Sequence, residues 1–219
     1  MCMKDTNRYN KFFVGLIMNP IRSVLVSYII PVLAALAVVY GCHQSESKGK
    51  EKGHGKMFLC KQEYALCTSA LCVPQPGDPK KAVCFCDVHE GPNLATVPCN
   101  HVQSSTDKHG IKTVFSTFSL RQMHEGRKAM KCPAGTPWTW CLNKRCTVDP
   151  FNHQKAICVC DVMRTNSEWT TFGGHCNTAT CQTSYWSGAT IAAADQGAKF
   201  LVKELGLEKN PMKWCEHPK

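Results

Sequence analysis

The sequence lacks the short motifs by which many enzymes are recognised. There is no Gly-x-Ser-x-Gly elbow, no glycine-rich phosphate-binding loop and no dinucleotide fingerprint. His89-Glu90 and His124-Glu125 begin like the motif of zinc proteases, but the required second histidine follows neither pair. Asp87 and Asp161 each follow the same Cys-x-Cys strand, which favours a repeated structural role over paired catalytic carboxylates. The sequence therefore predicts a protein without catalytic activity.

Metal and haem motifs are missing too, although cysteine is abundant. No two cysteines have the Cys-x2-Cys spacing of a structural zinc knuckle, and the haem-attachment motif Cys-x-x-Cys-His does not occur. We predict no metal ion and no cofactor. A thiol–disulfide or metal-handling protein that uses its Cys-x-Cys pairs is the first alternative. An enzyme whose site forms between two units of the chain is the second.

Acidic residues are few compared with basic ones. The chain has 16 Asp and Glu against 26 Lys and Arg, a formal net charge of +10. The densest basic patch comprises Arg121, Arg127, Lys128 and Lys131, with Lys144 and Arg145 nearby in sequence. Such a patch could bind an anionic envelope polymer, but no aromatic residues are interleaved with it, so nucleic acid is not an expected partner.

Cysteine is the residue that the chain has in excess. Sixteen cysteines in 219 residues make sense as disulfides in an oxidising compartment. Setting aside Cys2 and Cys42 near the N-terminus leaves 14, an even number. The cysteines expected to form disulfides are Cys60, Cys67, Cys72, Cys84, Cys86, Cys99, Cys132, Cys141, Cys146, Cys158, Cys160, Cys176, Cys181 and Cys215. The last two follow two groups of six and are expected to pair with each other.

Much of this cysteine pattern occurs twice. Residues 67–88 align without a gap to residues 141–162, and nine of the 22 aligned positions are identical. Chance would give roughly one or two identities. An aromatic residue, Tyr64 or Trp138, stands three positions before each leading cysteine. The chain is therefore a duplicated, cysteine-rich module.

Each repeat has the pattern of a β-hairpin. Turn-forming residues occupy 74–79 and 148–153, and the segment after each turn alternates with a period of two. Cys84 and Cys86 therefore share one face of a strand. Residues two apart on a strand lie roughly 6.6 Å apart, whereas bridged Cβ atoms approach to about 4 Å. These two cysteines need different partners, which the sequence does not identify.

These patterns predict a small, disulfide-rich α+β fold. We expect two tandem hairpin-based units, residues 57–131 and 132–219. Residues 111–120 are predicted to form a strand that leads to a short helix at 121–130. A longer amphipathic helix is predicted over 190–205 because apolar residues recur at helical spacing from Ile191 to Leu205. We expect this helix to pack on the second unit.

The longest apolar run lies near the N-terminus. Residues 24–40 carry no charge, and at about 1.5 Å per residue they would span roughly 26 Å, long for a signal peptide and slightly short for a membrane anchor. The residues that end the run, Val39-Tyr40-Gly41-Cys42, resemble the lipobox of bacterial lipoproteins, although Tyr40 departs from the pattern. The resemblance implies cleavage before Cys42 and lipidation of that cysteine. His43, where an aspartate would signal inner-membrane retention, implies the outer membrane.

Met18-Asn-Pro-Ile-Arg22 would give the signal a compact basic start, so translation from Met18 is favoured, with Met1 as the alternative. The alternative to lipidation is an uncleaved anchor within residues 1–41. Residues 42–56 are expected to form a flexible charged tether, because 43–56 contain no apolar side chain. Either anchor places the cysteine-rich part outside the cytoplasm, facing the periplasm. The sequence thus predicts a membrane-tethered, noncatalytic interaction or envelope-structural module. Its expected partners are the membrane and a protein or anionic envelope polymer.

Replacing Cys42 by alanine should abolish lipid attachment, because this thiol is the expected acceptor. Metabolic lipid labelling and membrane extraction of the full chain would measure the effect. We expect the variant to lose the lipid label and to keep its disulfides. Unchanged labelling and extraction would contradict lipidation at Cys42 and favour the uncleaved anchor.

Overall fold

Twelve β-strands and three α-helices build residues 55–216, the part of the chain that the computed structural model describes. The apolar run, Cys42 and nearly all of the tether lie outside the described residues. The strands are β1 (Phe58–Leu66), β2 (Leu71–Gln75), β3 (Asp78–Ala95), β4 (Ser105–Thr106), β5 (Lys112–Phe115), β6 (Met130–Cys132), β7 (Trp138–Trp140), β8 (Arg145–Val148), β9 (Lys155–Met163), β10 (Trp169–Thr171), β11 (Tyr185–Ser187) and β12 (Ala189–Thr190). The helices are α1 (Arg121–His124), α2 (Thr180–Thr183) and α3 (Ile191–Glu204).

Both repeats form the predicted hairpin. In the first, β2 pairs antiparallel with the start of β3, and Gly77 takes a positive φ of 81° in the turn between them. In the second, β8 pairs antiparallel with β9. The inward face of each returning strand carries alanine and cysteine, as the period of two predicted: Ala82, Cys84 and Cys86 are buried on β3.

The two hairpins meet edge to edge. Strands β3 and β9 pair antiparallel from Lys81↔Asp161 to Asp87↔Lys155, with Cys84 opposite Cys158 at the centre. Because these two cysteines are equivalent in the repeats, the pairing has an internal two-fold relation. The outer pairings repeat it: Tyr64↔His89 in β1–β3 corresponds to Trp138↔Met163 in β7–β9.

The sheet closes on itself. Its nine strands run in the order β1-β3-β2-β11-β7-β9-β8-β5-β4, and the additional β3–β9 pairing completes a ring through β2, β11 and β7. A second sheet of three strands has the order β12-β10-β6. All described residues belong to one compact unit. The expected arrangement in two tandem units is not confirmed, because both repeats contribute strands to the same barrel-like sheet.

Seven disulfides link the fourteen cysteines of the described residues. The four repeat-internal bridges are Cys67–Cys86, Cys72–Cys84, Cys141–Cys160 and Cys146–Cys158. The others are Cys60–Cys99, Cys132–Cys181 and Cys176–Cys215. A bridge with a sequence separation of 12 is worth about 3 kcal/mol through the entropy of the unfolded chain, and one with a separation of 39 about 4 kcal/mol.

One expected pairing is wrong. Cys181 does not bond Cys215: it bonds Cys132 on β6, and Cys215 bonds Cys176. Cys176 ends the one-turn 3-10 helix Gly174–Cys176, whereas Cys181 lies in the next helix, α2. Cys181 packs in a cluster with Met130, Trp138 and Trp169, close to Cys132.

The C-terminal helix is confirmed, with Thr190 as its N-cap: the Thr190 hydroxyl accepts a hydrogen bond from the amide of Ala193. Its buried face does not rest on the second repeat alone. Leu201 and Ala198 belong to a cluster that includes Leu94 of β3 as well as Phe172. The helix expected at 121–130 is shorter, covering only Arg121–His124. Among residues 55–216, no helix has both the length and the apolar character needed to cross a membrane.

The bridge assignment can be tested with single substitutions. In Cys181→Ser the thiol set free should be Cys132, because that is its bonded partner, and in Cys176→Ser it should be Cys215. Alkylation of the denatured, unreduced variants followed by peptide mass spectrometry identifies the free thiol. Alkylation of Cys215 in the Cys181→Ser variant would contradict the Cys132–Cys181 bridge and support the Cys181–Cys215 pairing expected from the sequence.

Candidate functional site

A cluster of eight sulfur atoms lies behind the β3–β9 pairing. The four repeat-internal bridges supply them, and the cysteines concerned are 0–4% exposed. The bridges contact each other: Cys67 Sγ lies 3.4 Å from Cys158 Sγ, and the equivalent atoms of Cys141 and Cys84 are 3.6 Å apart. The duplicated cysteines of the two repeats therefore form one continuous cluster of disulfides.

The sulfur cluster bears on the thiol and metal alternative. The sulfurs of Cys67, Cys86 and Cys158 lie within 4.8 Å of one another, as do those of Cys84, Cys141 and Cys160. Such spacing would suit a metal ion if the groups were thiolates. Every one of these cysteines is bonded in a disulfide, however, and a disulfide sulfur lacks the negative charge that makes a thiolate a good ligand. Metal binding at these positions would require reduction of the buried bridges.

The opposite face of the β3–β9 pairing points outward and is apolar. We call Leu71, Val73, Val83, Phe85, Ile157 and Val159 the outer strip. Phe85 is 54% exposed, Ile157 46% and Val159 44%. The strip crosses β2, β3 and β9, whose registers place Val73 beside Val83 and Val83 beside Val159. The period-two alternation of the sequence indicated which residues share this face. It did not indicate that no other part of the described chain packs over them.

An ion pair stands at each end of the outer strip. Lys81 Nζ donates a hydrogen bond to Asp161 Oδ1 at one end, and Lys155 Nζ donates to Asp87 Oδ1 at the other. The two pairs are equivalent in the repeats. Asp161 has an additional partner, because Lys144 Nζ lies 2.6 Å from its second oxygen. Asp87 and Asp161, which the sequence showed to be equivalent, therefore form the ion pairs at the two ends of this surface.

The environment of Asp161 shifts its pKa. Burial alone would raise that pKa, but the hydrogen bonds and charges of Lys144 and Lys81 outweigh burial and leave the pKa below its ordinary value of 3.8. The same contact acts on the partner: the hydrogen bond to Asp161 raises the pKa of Lys81. Both groups are fully charged at neutral pH, so the rim keeps its pattern of charges.

A cavity of about 80 Å³ lies on the inner side of the molecule, near the junction of the repeats. Cys67 and Thr68 line it from the first repeat, and the equivalent Cys141 and Leu142 line it from the second. Helix α3 contributes Ala193, Ala194 and Gly197, and the remaining lining residues are Leu94, Ser116, Thr117, Phe118, Trp140, Thr170, Thr171, Phe172, Ser187, Gly188 and Ala189. None of these residues is acidic, basic or histidine. The cavity therefore offers no acid or base for proton transfer.

A separate surface depression brings together three of the four residues of the two histidine–glutamate pairs. Glu90, His124 and Glu125 line it with Tyr64 and Arg121. Arg121 Nε donates to Glu125 Oε1 at 3.0 Å, so the pair carries no net charge. The depression is therefore a polar surface that includes this ion pair.

The expected basic patch is largely paired or stacked. Lys128 lies 3.6 Å from Glu216, and Lys144 bonds Asp161. Lys131 lies over the ring of Trp214 and Arg145 over that of Phe115. Arg121, as described, pairs with Glu125. Each of these basic side chains except Arg127 therefore has an acidic or aromatic contact of its own.

Asp161→Asn should lower the free energy of unfolding at neutral pH by about 1 kcal/mol or less, since Asp161 is partly exposed and solvent screens its ion pairs. Because folding lowers the pKa of Asp161, its contribution is present above the ordinary pKa and is lost as pH falls through the folded value. Denaturant unfolding at several pH values should show the difference from the wild type closing in acid. Asp87→Asn is the matched control and should cost less, because within residues 55–216 Asp87 bonds only Lys155, and it is more exposed. Equal costs for both variants would contradict the role given to Lys144.

Comparison with known proteins gives no relative from which an activity could be transferred. No family model, curated protein or solved structure matches the chain.

Proposed function

We propose that this protein is a noncatalytic interaction module, held outside the cytoplasm at a membrane by its N-terminal segment, and that it assembles with a second copy of itself through the outer strip. The observation that carries the proposal is the exposed apolar face of β3 and β9 with an ion pair at each end. A contiguous exposed apolar patch with a polar rim is typical of a protein interface.

The rigidity of the surface supports this proposal. The strip lies on the β3–β9 pairing, and the sulfur cluster directly behind that pairing holds both strands through four bridges. A surface that is fixed before binding loses little conformational freedom when a partner docks, which leaves more of the interaction energy for affinity. The disulfides also suit an oxidising compartment outside the cytoplasm.

The charges of the rim argue for a second copy as the partner. The outward residues form four rows across the two strands: Lys81–Asp161, Val83–Val159, Phe85–Ile157 and Asp87–Lys155. The two lysines occupy one diagonal of this rectangle and the two aspartates occupy the other. Two such faces can stack about a two-fold axis that lies between them and parallel to them. Whether this axis runs along the strands or perpendicular to them, every lysine comes to lie over an aspartate of the other copy. The surface is therefore electrostatically complementary to itself.

The expected association is weak. Three strands spaced about 4.8 Å apart and seven residues long at about 3.4 Å each give a face of roughly 340 Å² per copy. Twice this area lies below the range of standard-size protein interfaces, as expected for a weak, transient contact. Such contacts become effective when a membrane holds many copies close together, because tethering raises the local concentration.

Phe85→Glu should weaken this self-association about tenfold or more, because it buries an unpaired charge at the centre of the interface. Sedimentation equilibrium of the full chain in a density-matched detergent would measure the monomer–dimer constant. Phe151→Glu is the control: Phe151 is 98% exposed but lies in the turn between β8 and β9, outside the strip.

A second variant tests the charge pattern. Asp87→Lys gives the rectangle lysine at three of its four corners, so that in either stacking lysines of the two copies face each other. We expect weaker association, relieved by high salt. A wild-type chain that stays monomeric at high concentration would overturn self-assembly, and binding of an anionic envelope polymer or another protein at this face would replace the second copy as partner.

A further inference from the structure

We infer that the inner cavity is a binding site for a small, uncharged, mostly apolar molecule that carries one hydrogen-bonding group. This site lies on the side of the sulfur cluster remote from the outer strip, so it is independent of the proposed self-assembly. Its walls, its polar atoms and its cover each point to the same class of ligand.

The walls exclude charged ligands. All 18 lining residues are uncharged, and most of the surface comes from apolar groups such as Leu94, Phe118 and Phe172. An ion or a phosphate placed there would lose its hydration without gaining a partner of opposite charge. An apolar body loses nothing by the same transfer and gains van der Waals contacts. The size, about 80 Å³, suits a short chain or the substituted end of a ring whose remainder lies at the opening, since a closed apolar cavity of about 150 Å³ holds a whole benzene.

Two hydroxyl groups in the walls lack a partner. Thr117 is only 2% exposed, and its Oγ1 makes no hydrogen bond; Thr68 Oγ1 is also buried and unpaired. Buried polar atoms in folded proteins nearly always have a hydrogen-bond partner. The neighbouring hydroxyls do: Thr170 donates to the carbonyl of Met130, and Thr171 donates to the carbonyl of Ser187. Both oxygens are fully buried, so a rotation of the Thr117 side chain would bring its hydroxyl into the cavity, where a hydroxyl or carbonyl of the ligand would satisfy it.

The cover of the cavity consists of small residues. Gly197 of α3 faces the ring of Phe118, and a Cβ added there would lie 3.3 Å from it. Ala194 is buried beside Gly197, whereas Ala193 is only partly buried, which places it nearer the opening. Larger side chains on this face of α3 would occupy the space. The opposite wall holds Cys67 and Cys141, whose bridges fix its shape before any ligand binds.

Phenol and toluene are suitable probes because they have similar shapes and differ in a hydroxyl in place of a methyl group. Their binding to the full chain in lipid nanodiscs can be measured by saturation-transfer NMR, with empty nanodiscs subtracted. We expect the wild type to bind both and to prefer phenol after correction for partition into lipid. Thr117→Val keeps the shape of the side chain but removes the hydroxyl. It should weaken phenol binding about five- to tenfold and leave toluene unchanged.

Ala193→Leu should reduce the binding of both probes about tenfold or more, because it fills the opening. Ala192→Leu is its matched control, since Ala192 is the exposed neighbour on the same helix and does not line the cavity. Equal binding by these two variants, or no binding to the wild type, would overturn the site. An unchanged phenol-to-toluene ratio in Thr117→Val would overturn the role of the hydroxyl. None of these results depends on the oligomeric state, so failure here would leave the proposed self-assembly to its own test.

Discussion

The antiparallel pairing of β3 with β9 is the interaction on which the rest of the structure depends. It joins the two hairpins, closes the sheet and places Cys84 opposite Cys158 at the centre of a two-fold arrangement. Its inner face then brings four disulfides into contact, and its outer face presents the apolar strip with two ion pairs. A shift of one residue in this register would exchange the two faces, moving cysteine outward and phenylalanine inward. Burial of the sulfur atoms therefore specifies the register.

Sulfur replaces much of the usual hydrocarbon interior in this fold. The cluster behind β3 and β9 consists mainly of cysteine and alanine, with valine at its edges. Alanine contributes little buried surface, so this part of the core gains less from the hydrophobic effect than one built of leucine or phenylalanine. The bridges offset that deficit by limiting the conformations open to the unfolded chain. The larger aromatic side chains are elsewhere: Trp138 stacks on Trp169 with ring centroids 5.9 Å apart.

The local features could be predicted from the sequence because they follow from short spacings. The hairpins, the inward alternation of Ala82, Cys84 and Cys86, and the helix capped at Thr190 depend on neighbours within a few positions. The joining of the repeats depends on how two strand edges meet, which alternation within one strand does not encode. The same limit explains the error at Cys181: its partner, Cys132, lies 49 positions away and reaches it only through β6. The cavity was beyond prediction because it combines α3 with loops from both repeats.

The internal two-fold relation has a consequence for the history of the chain. A polypeptide carrying only the first repeat would leave one edge of β3 without hydrogen-bond partners. Residues 81–87 of two such molecules could pair in the register now seen between β3 and β9, with Cys84 facing its own counterpart and each Lys81 meeting the Asp87 of the other. The present chain thus has the architecture of a homodimer fused into one polypeptide. Within one chain the two halves need not be identical, and the cavity has threonine on one side and leucine at the equivalent position on the other.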